Sequence, residues 1–503
     1  MVSKIKCFAI MGVDTQPVIV ETDVSNGLPS FDMVGLLASD VKEARQRVKM
    51  AVKNSGFLLP PKRITINFSP GNIRKAGTYF DLPIAISILL SLGSLQCDVS
   101  DKLFVGELSL GGEVVSVDGV LPIVLSAVQQ GVHQCFVPKE NLDECSFLEN
   151  IEIFGVENLN QVVMILMDKS KAECRYEKTE VLTEVEEKYD FGEIKGQVQA
   201  KLGAEIAAAG MHNILLEGMP GSGKSIIAKA LPSILPDMTF EEQLEISKIQ
   251  SIAGYLRGGL VTKRPFRNPH HSVTVASMIG GGINPKPGEI TLAHGGVLYM
   301  DELPEFKREV LETLRQPLED GEVVVSRVGG KFVFPAEMMW VAAMNPCRCG
   351  YYPDRNRCNC TERDVRKYLE KISGPLLDRI DLCVHMQPIH FEELSNQKEE
   401  SSEEIRKRVN LAVRIQKERY KNEIIRFNSM LSGQKIKEYC SLGKEETNLM
   451  REVYEKMELS VRGYEKIIKV ARTIADLKGR ENICEGDIAM AISFRSNRLN
   501  IIN

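Results

Sequence analysis

The sequence predicts a mixed α/β chain in three successive blocks: an α/β or α+β block, a second α/β block with buried strands, and an all-α block. Three observations carry this. Strand-like and helical runs alternate up to about residue 165 and again from about 191 to 390. Two charged stretches, Asp168–Asp190 (13 charged residues in 23) and Glu392–Arg408, separate the blocks. Residues 409–500 are helical in pattern, with no convincing strand. The expected boundaries are 1–167, a linker over 168–190, 191–391 and 392–503. The 503 residues allow three or four domains of ordinary size. With 43% hydrophobic and 26% charged residues, the composition excludes a disordered or fibrous protein. The balance of 63 basic against 68 acidic residues, a net charge of −5, excludes a bulk polycation. Nucleic-acid contact therefore requires a local basic patch.

In the first block Ile64–Phe68, Phe104–Leu108, Val114–Val117 and Cys135–Val137 read as strands, and Asp40–Asn54 and Leu82–Leu92 as helices. Met1–Gly12 has too short an apolar run for a secretory signal. The longest uncharged apolar stretch, Leu82–Cys97, falls short of the roughly 20 residues a bilayer span needs, so no membrane partner is expected. Twelve cysteines without an export signal point to a reducing cytoplasm, where close pairs favour metal or redox chemistry over disulfides.

The second block opens on a strand, Asn213–Glu217, then Gly218-Met219-Pro220-Gly221-Ser222-Gly223-Lys224-Ser225, then a helix over Ile226–Leu231. This is G-x-x-x-x-G-K-[ST] in strand–loop–helix context. Its glycines let successive amides face phosphates, Lys224 reaches the β- and γ-phosphates, and Ser225 holds Mg²⁺. A second buried run, Val297–Met300, ends at Asp301 and Glu302, a Mg²⁺ ligand and a general base for the attacking water. A third, Met339–Ala343, ends at Asn345, an amide suited to orienting that water. ATP and Mg²⁺ are thus the expected cofactors. Cys347, Cys349, Cys358 and Cys360 form a paired CxC set, read as a structural Zn²⁺ site with Arg348, Arg355, Arg357 and Arg363 offsetting its charge.

Residues 196–390 resemble the AAA+ ATPases, in the helix-2-insert branch that includes magnesium chelatase and the MCM helicases. The likeness is close to the ComM/YifB family. It rests on EGMPGSGKS, RNPHHSVTVASMIGGG, PKPGEITLAHGGVLYMDELPEF, LRQPLEDGEVVVSR, VAAMNPCRCGYYPD, SGPLLDRIDL and SVRGYEKIIKVARTIADLKG. The resemblance implies a P-loop AAA+ core with a helical lid. It makes Asn345 the sensor-1 residue, Arg379 an arginine finger acting on the neighbouring subunit, and Arg462 the sensor-2 residue. A finger in trans implies a homo-oligomeric ring, usually a hexamer. ComM-type proteins resemble ATP-driven DNA motors that extend heteroduplex in recombination and natural transformation. Two pore hairpins are then expected: one within Arg264–Glu289, carrying Arg264, Arg267, His270, His271 and Lys286, and one over Glu322–Phe334, turning at Gly329-Gly330. Arg327, Lys331, Arg267 and Lys286 are the candidate DNA contacts, and the histidine pair is given a structural or pore role.

Residues 1–165 resemble the Lon-protease-like (ribosomal S5 domain 2-like) α+β domain of the same family, through GLPSFDMVG, KAGTYFDLP and FVGELSLGGEV. The nucleophilic serine position falls near Tyr79 and its lysine partner near Leu121, so no proteolysis is expected. Lys62, Arg63, Arg74 and Lys75 form a small basic group. The competing reading is a chelatase-type motor that remodels a partner protein.

Overall fold

The computed structural model describes residues 2–149, 151–167, 189–256, 258–327, 330–388 and 399–495. All but Tyr189 and Asp190 of the expected linker, residues 392–398 of the second charged stretch, and Gly329 of the expected turn lie outside these.

The first block is built on strands Ser3–Met11, Asp14–Ser25, Arg63–Ser69 and Ser30–Val34, in that spatial order, the first three antiparallel and the last pair parallel. Alternate residues Ile64, Ile66 and Phe68 are buried, as a one-faced sheet requires. Helices Ser39–Asn54 and Asp81–Ser91 sit where helices were expected. Every residue from Asp81 to Leu89 is buried, which is why the run reads as membrane-like while being a core helix.

Two expected strands differ. Phe104–Leu108 is two strands in different sheets: Lys102–Phe104 pairs with Gln134–Pro138, and Glu107–Leu108 pairs with Val114–Val115. The break falls at Gly106, at φ +156°, where a Cβ would lie 2.8 Å from Val114 Cγ1. Val114–Val117 shortens to the two residues that pair with Glu107–Leu108.

The second block is a five-stranded parallel sheet. Its spatial order is Phe266–Arg267, Val297–Met300, Met339–Met344, Ile214–Gly218 and Leu382–Met386. The first strand in sequence thus lies between the fourth and fifth. Both faces are covered, so its strands are continuous apolar runs. Leu216, Tyr299, Val341 and Ala343 pack towards the lid helices, while Leu215, Leu298, Met300 and Trp340 pack into a second core with Val325, Phe334 and Cys347. The lid includes helices Ser402–Arg419, Val461–Leu477 and Glu485–Ser493. The first is started by a capping box of Ser401 and Glu404.

The first block also touches the second. Phe147 meets Phe240 edge to face at 6.2 Å, and Ser251 Oγ donates to Glu144 at 2.7 Å. No helix among the described residues is long and apolar enough to cross a membrane, and their cysteines are free thiols.

Candidate nucleotide site

Parallel pairing brings three strand ends together. Glu217 is opposite Met344, and Met300 is opposite Ala342, so the residues that follow (Gly218, Asp301 and Asn345) share the carboxyl edge of the sheet. Open α/β sheets bind ligands at that edge. The loop turns through Gly221 and Gly223 at φ +80° and +89°, a conformation that side chains resist. Lys224 Nζ donates to the carbonyls of Gly218 and Met219 at 2.7 and 2.9 Å and to Asn345 Oδ1 at 3.1 Å. Burial pulls its pKa below the usual lysine value, against the opposing pull of Asp301 and Glu217. Ser225 Oγ donates to Asp301 Oδ2 at 2.8 Å. This hydroxyl and carboxylate fit a hard cation that takes oxygen ligands. Ser222 Oγ is buried with no hydrogen-bond partner among the described residues, as expected of a group that awaits a phosphate oxygen. The residues therefore fit a nucleotide triphosphate with Mg²⁺.

Glu302 follows Asp301 in a left-handed conformation (φ +51°), and His271 Nδ1 lies 3.7 Å from its Oε2. No local pattern points to this neighbour. It arises because Phe266–Arg267 runs parallel to Val297–Leu298, so the segments after both strands meet.

Arg379 and Arg462 lie elsewhere. Arg379 precedes Leu382–Met386, whose parallel partner is the phosphate-loop strand, and its carbonyl accepts from Asn213 Nδ2 at 2.9 Å. It is thus at the amino edge of the sheet. A five-residue strand separates it from Gly218, about 16 Å at ~3.3 Å per residue. Arg379 donates to Glu319, and Arg462 Nη2 reaches the other oxygen of the same carboxylate at 2.9 Å. They line a cavity of about 410 Å³ together with Lys466, Lys469 and Arg426. Glu319 was not singled out from the sequence, because a single glutamate before a hairpin carries no pattern.

Asp381 anchors this second site. It accepts from the Asn213 amide at 3.0 Å and pairs with Lys466 of the lid at 3.2 Å. Burial alone would raise its pKa; Lys466, His212 and Lys469 outweigh that and hold it well below the carboxylate range. Lys466 itself is pushed down to about 8 by burial. Replacing Asp381 by alanine leaves Lys466 buried without its carboxylate, with only the Ile380 carbonyl still accepting from it. The expected cost is roughly 3–5 kcal/mol, seen as an earlier urea transition.

The candidate DNA contacts are unevenly placed. Glu322–Arg327 and Gly330–Pro335 form the expected hairpin, with Arg327 and Lys331 exposed near its end. The insert carries a shorter one, Gly280–Gly281 with Lys286–Pro287. Arg267 is committed to Glu289 by two hydrogen bonds of 2.7 and 2.8 Å, and Lys286 pairs with Asp118 at 2.7 Å. Arg264 differs from expectation: it is a buried strut, held by Glu242 and by the carbonyls of Pro236 and Gly295. Lys75 is likewise fully buried, donating to the Phe68 and Pro70 carbonyls, because its stem fills a core position. Tyr79 is buried with its hydroxyl accepting from Ile10 N–H at 3.2 Å, and Leu121 is buried too.

The four cysteines converge, with all four sulfurs within 4.8 Å of one another. Three of the separations are 3.3, 3.4 and 3.8 Å. A tetrahedral zinc with Zn–S bonds of roughly 2.3 Å places sulfurs about 3.8 Å apart. The donor set is therefore compatible with a structural zinc.

Sheet order, phosphate loop and paired acids define an ATPase of the AAA+ class. Family models described as "Magnesium chelatase, subunit ChlI", "Subunit ChlI of Mg-chelatase" and "Magnesium chelatase, subunit ChlI C-terminal" match residues 190–394, 20–141 and 399–495. The chain is 39% identical over 498 residues to Competence protein ComM of Haemophilus influenzae, covering 97% of this chain and 96% of that protein. It is 38% identical over 495 residues to the uncharacterized protein YifB of Escherichia coli, with 97% and 96% covered. It is also 38% identical over 491 residues to an uncharacterized protein of Mycobacterium tuberculosis, with 97% of each covered. The chain belongs to the ComM/YifB family of magnesium chelatase-like AAA+ ATPases.

Proposed function

We propose that this ATPase works as a cytoplasmic homo-oligomeric ring, a hexamer, that drives branch migration or helicase-like movement on DNA in recombination or natural transformation. The observation that carries the ring is the separation of Arg379 and Arg462 from the phosphate loop across the width of the sheet. An arginine side chain cannot bridge that gap within one chain, so the two arginines complete the site of a neighbour. Glu319 holds them until a triphosphate takes its place. The DNA reading is supported by exposed Arg327 and Lys331 at the hairpin end, and by a full-length relative whose name is competence protein. Residues 1–167 act as a non-proteolytic scaffold, 191–391 as the ATPase core and 392–503 as the lid.

Within a closed site the residues divide the work. Lys224 neutralises the β- and γ-phosphates, Ser225 and Asp301 hold Mg²⁺, and Asn345 orients the attacking water. Glu302 takes the proton from that water as it attacks the γ-phosphorus in line, and the neighbour's Arg379 offsets the charge on the equatorial oxygens. Mg²⁺, held by Ser225 and Asp301, would supply neutralisation of phosphate charge.

The test is the ATPase rate with and without single-stranded and branched DNA. Stimulation by DNA is expected, with loss of that stimulation in the Arg327→Ala/Lys331→Ala double variant and a shallower salt dependence of DNA binding. Unchanged rates with every DNA would favour a chelatase-type motor that remodels a partner protein.

A further inference from the structure

The cysteine loop lies directly against the phosphate loop. Asn345, which accepts from Lys224, is separated from the first thiol only by Pro346, whose ring fixes φ. Gly350 follows at φ +88°, and a Cβ there would lie 2.6 Å from Cγ and 2.7 Å from Cδ of Pro220, with Asn345 Cγ at 3.9 Å. The backbone of the cysteine loop therefore rests on the ring of Pro220, one of the residues that curl around the phosphates.

The loop is shaped as a metal knuckle. The Gly350 amide donates to the Cys347 carbonyl at 3.0 Å, and the Tyr352 amide donates to Cys347 Sγ at 3.4 Å. Cys347 and Cys358 are buried in the same core as Met344, Tyr368 and Leu369. Residues 347–360 contain neither helix nor strand. An irregular stretch of this length is held in one shape only at an entropic cost, and a tetrahedral cross-link between its two ends offsets that cost. Arg355 closes the far end by donating to the Cys360 carbonyl at 2.9 Å.

We infer that the four thiolates bind one Zn²⁺ and that this metal knuckle is a strut for the nucleotide site: zinc occupancy fixes Gly350 against Pro220 and Asn345 against Lys224, so that metal and nucleotide bind cooperatively. This rests on the zinc and ATPase readings above. Zinc binding releases the thiol protons of Cys347, Cys349, Cys358 and Cys360 to solvent and leaves four Zn–S bonds, with no redox step. Cooperativity between two sites is reciprocal, so bound nucleotide must hold the metal more tightly by the same factor.

The experiment uses the full chain purified from zinc-supplemented medium, in reducing buffer. Zinc is counted by a colorimetric chelator. The affinity for a fluorescent ATP analogue is then measured on loaded protein, chelator-stripped protein and stripped protein given one equivalent of Zn²⁺. One zinc per chain is expected. Stripping should weaken the analogue about tenfold or more, within the usual range for coupled sites, and zinc should restore it. Far-UV circular dichroism should stay unchanged. A non-hydrolysable ATP analogue should slow zinc loss to the chelator. Gly350→Val, which keeps all four cysteines and presses on Pro220, should retain zinc and still bind the analogue more weakly.

Equal affinity with and without zinc overturns the strut, as does zinc loss that ignores nucleotide. Absence of zinc overturns both the strut and the zinc reading, and leaves the ATPase reading standing if loss of analogue binding in Lys224→Ala marks a working site. A loaded protein that fails to bind the analogue at all overturns the ATPase reading with it.

Discussion

Arg379→Ala should lower the ATP turnover number by about 10³-fold or more, the range seen when an arginine finger is removed, while leaving the affinity for ATP nearly unchanged. The affinity is spared because Lys224, Ser225 and Asp301 sit at the other edge of the sheet, on the far side of a five-residue strand. The decisive form of the experiment mixes two inactive variants. Lys224→Ala keeps its arginines and Arg379→Ala keeps its phosphate loop. In a ring assembled at random from equal amounts, roughly one interface in four pairs an intact loop with an intact finger. Activity should reappear on mixing and scale with that fraction. Two variants that stay inactive together while forming mixed rings would rule out Arg379 acting on the neighbour's nucleotide.

Glu302→Gln should reduce hydrolysis by roughly 10²–10⁴-fold, the usual contribution of a positioned general base, with nucleotide still bound. The amide keeps the size of the side chain and loses only its capacity to take a proton. Lys224→Ala, by contrast, should lose binding, because Lys224 is the group aimed at the phosphates and held in place by two carbonyls and Asn345. The pair is read by equilibrium binding of a fluorescent nucleotide beside single-turnover hydrolysis. Undiminished hydrolysis in Glu302→Gln would move the general-base role to another group, and His271, with Nδ1 3.7 Å from the Glu302 carboxylate, is the first to test.

Much of the site was legible in the sequence because its logic is local. A phosphate loop declares itself by spacing, and buried strands that end in Asp-Glu or in Asn-Pro declare where the sheet stops. The strand Val297–Met300 falls where its apolar run places it. The two long-range features were not legible. That Arg379 and Arg462 share Glu319 depends on the lid folding back over residues more than a hundred positions away, and no local pattern encodes it. Charge alone also misled. Arg264 and Lys75 look like surface cations, but the fold buries both stems and satisfies both heads with carbonyls. The break at Gly106 was also hidden: Phe104–Leu108 is a good strand by composition, and only the fold shows its two halves pairing with different strands. The four cysteines lay between these cases, since their number suggested a metal and only the folded loop brings the sulfurs together.

The turn between the first two strands grips the hairpin of the ATPase core: a Cβ at Gly12 would lie 2.5 Å from the carbonyl oxygen of Val333. Around the same cavity Asp118 holds Lys286, and the Gly119 amide donates to the Ser251 carbonyl at 3.0 Å. The leading 167 residues are thus no detachable tag. A shortened protein beginning at Tyr189 would present the flank of Phe240–Ala253 to solvent, including Ile252, which is 6% exposed in the intact chain. Such a fragment gains a greasy seam and forfeits the anchorage of both loops, and any reduced preparation of this enzyme inherits that handicap.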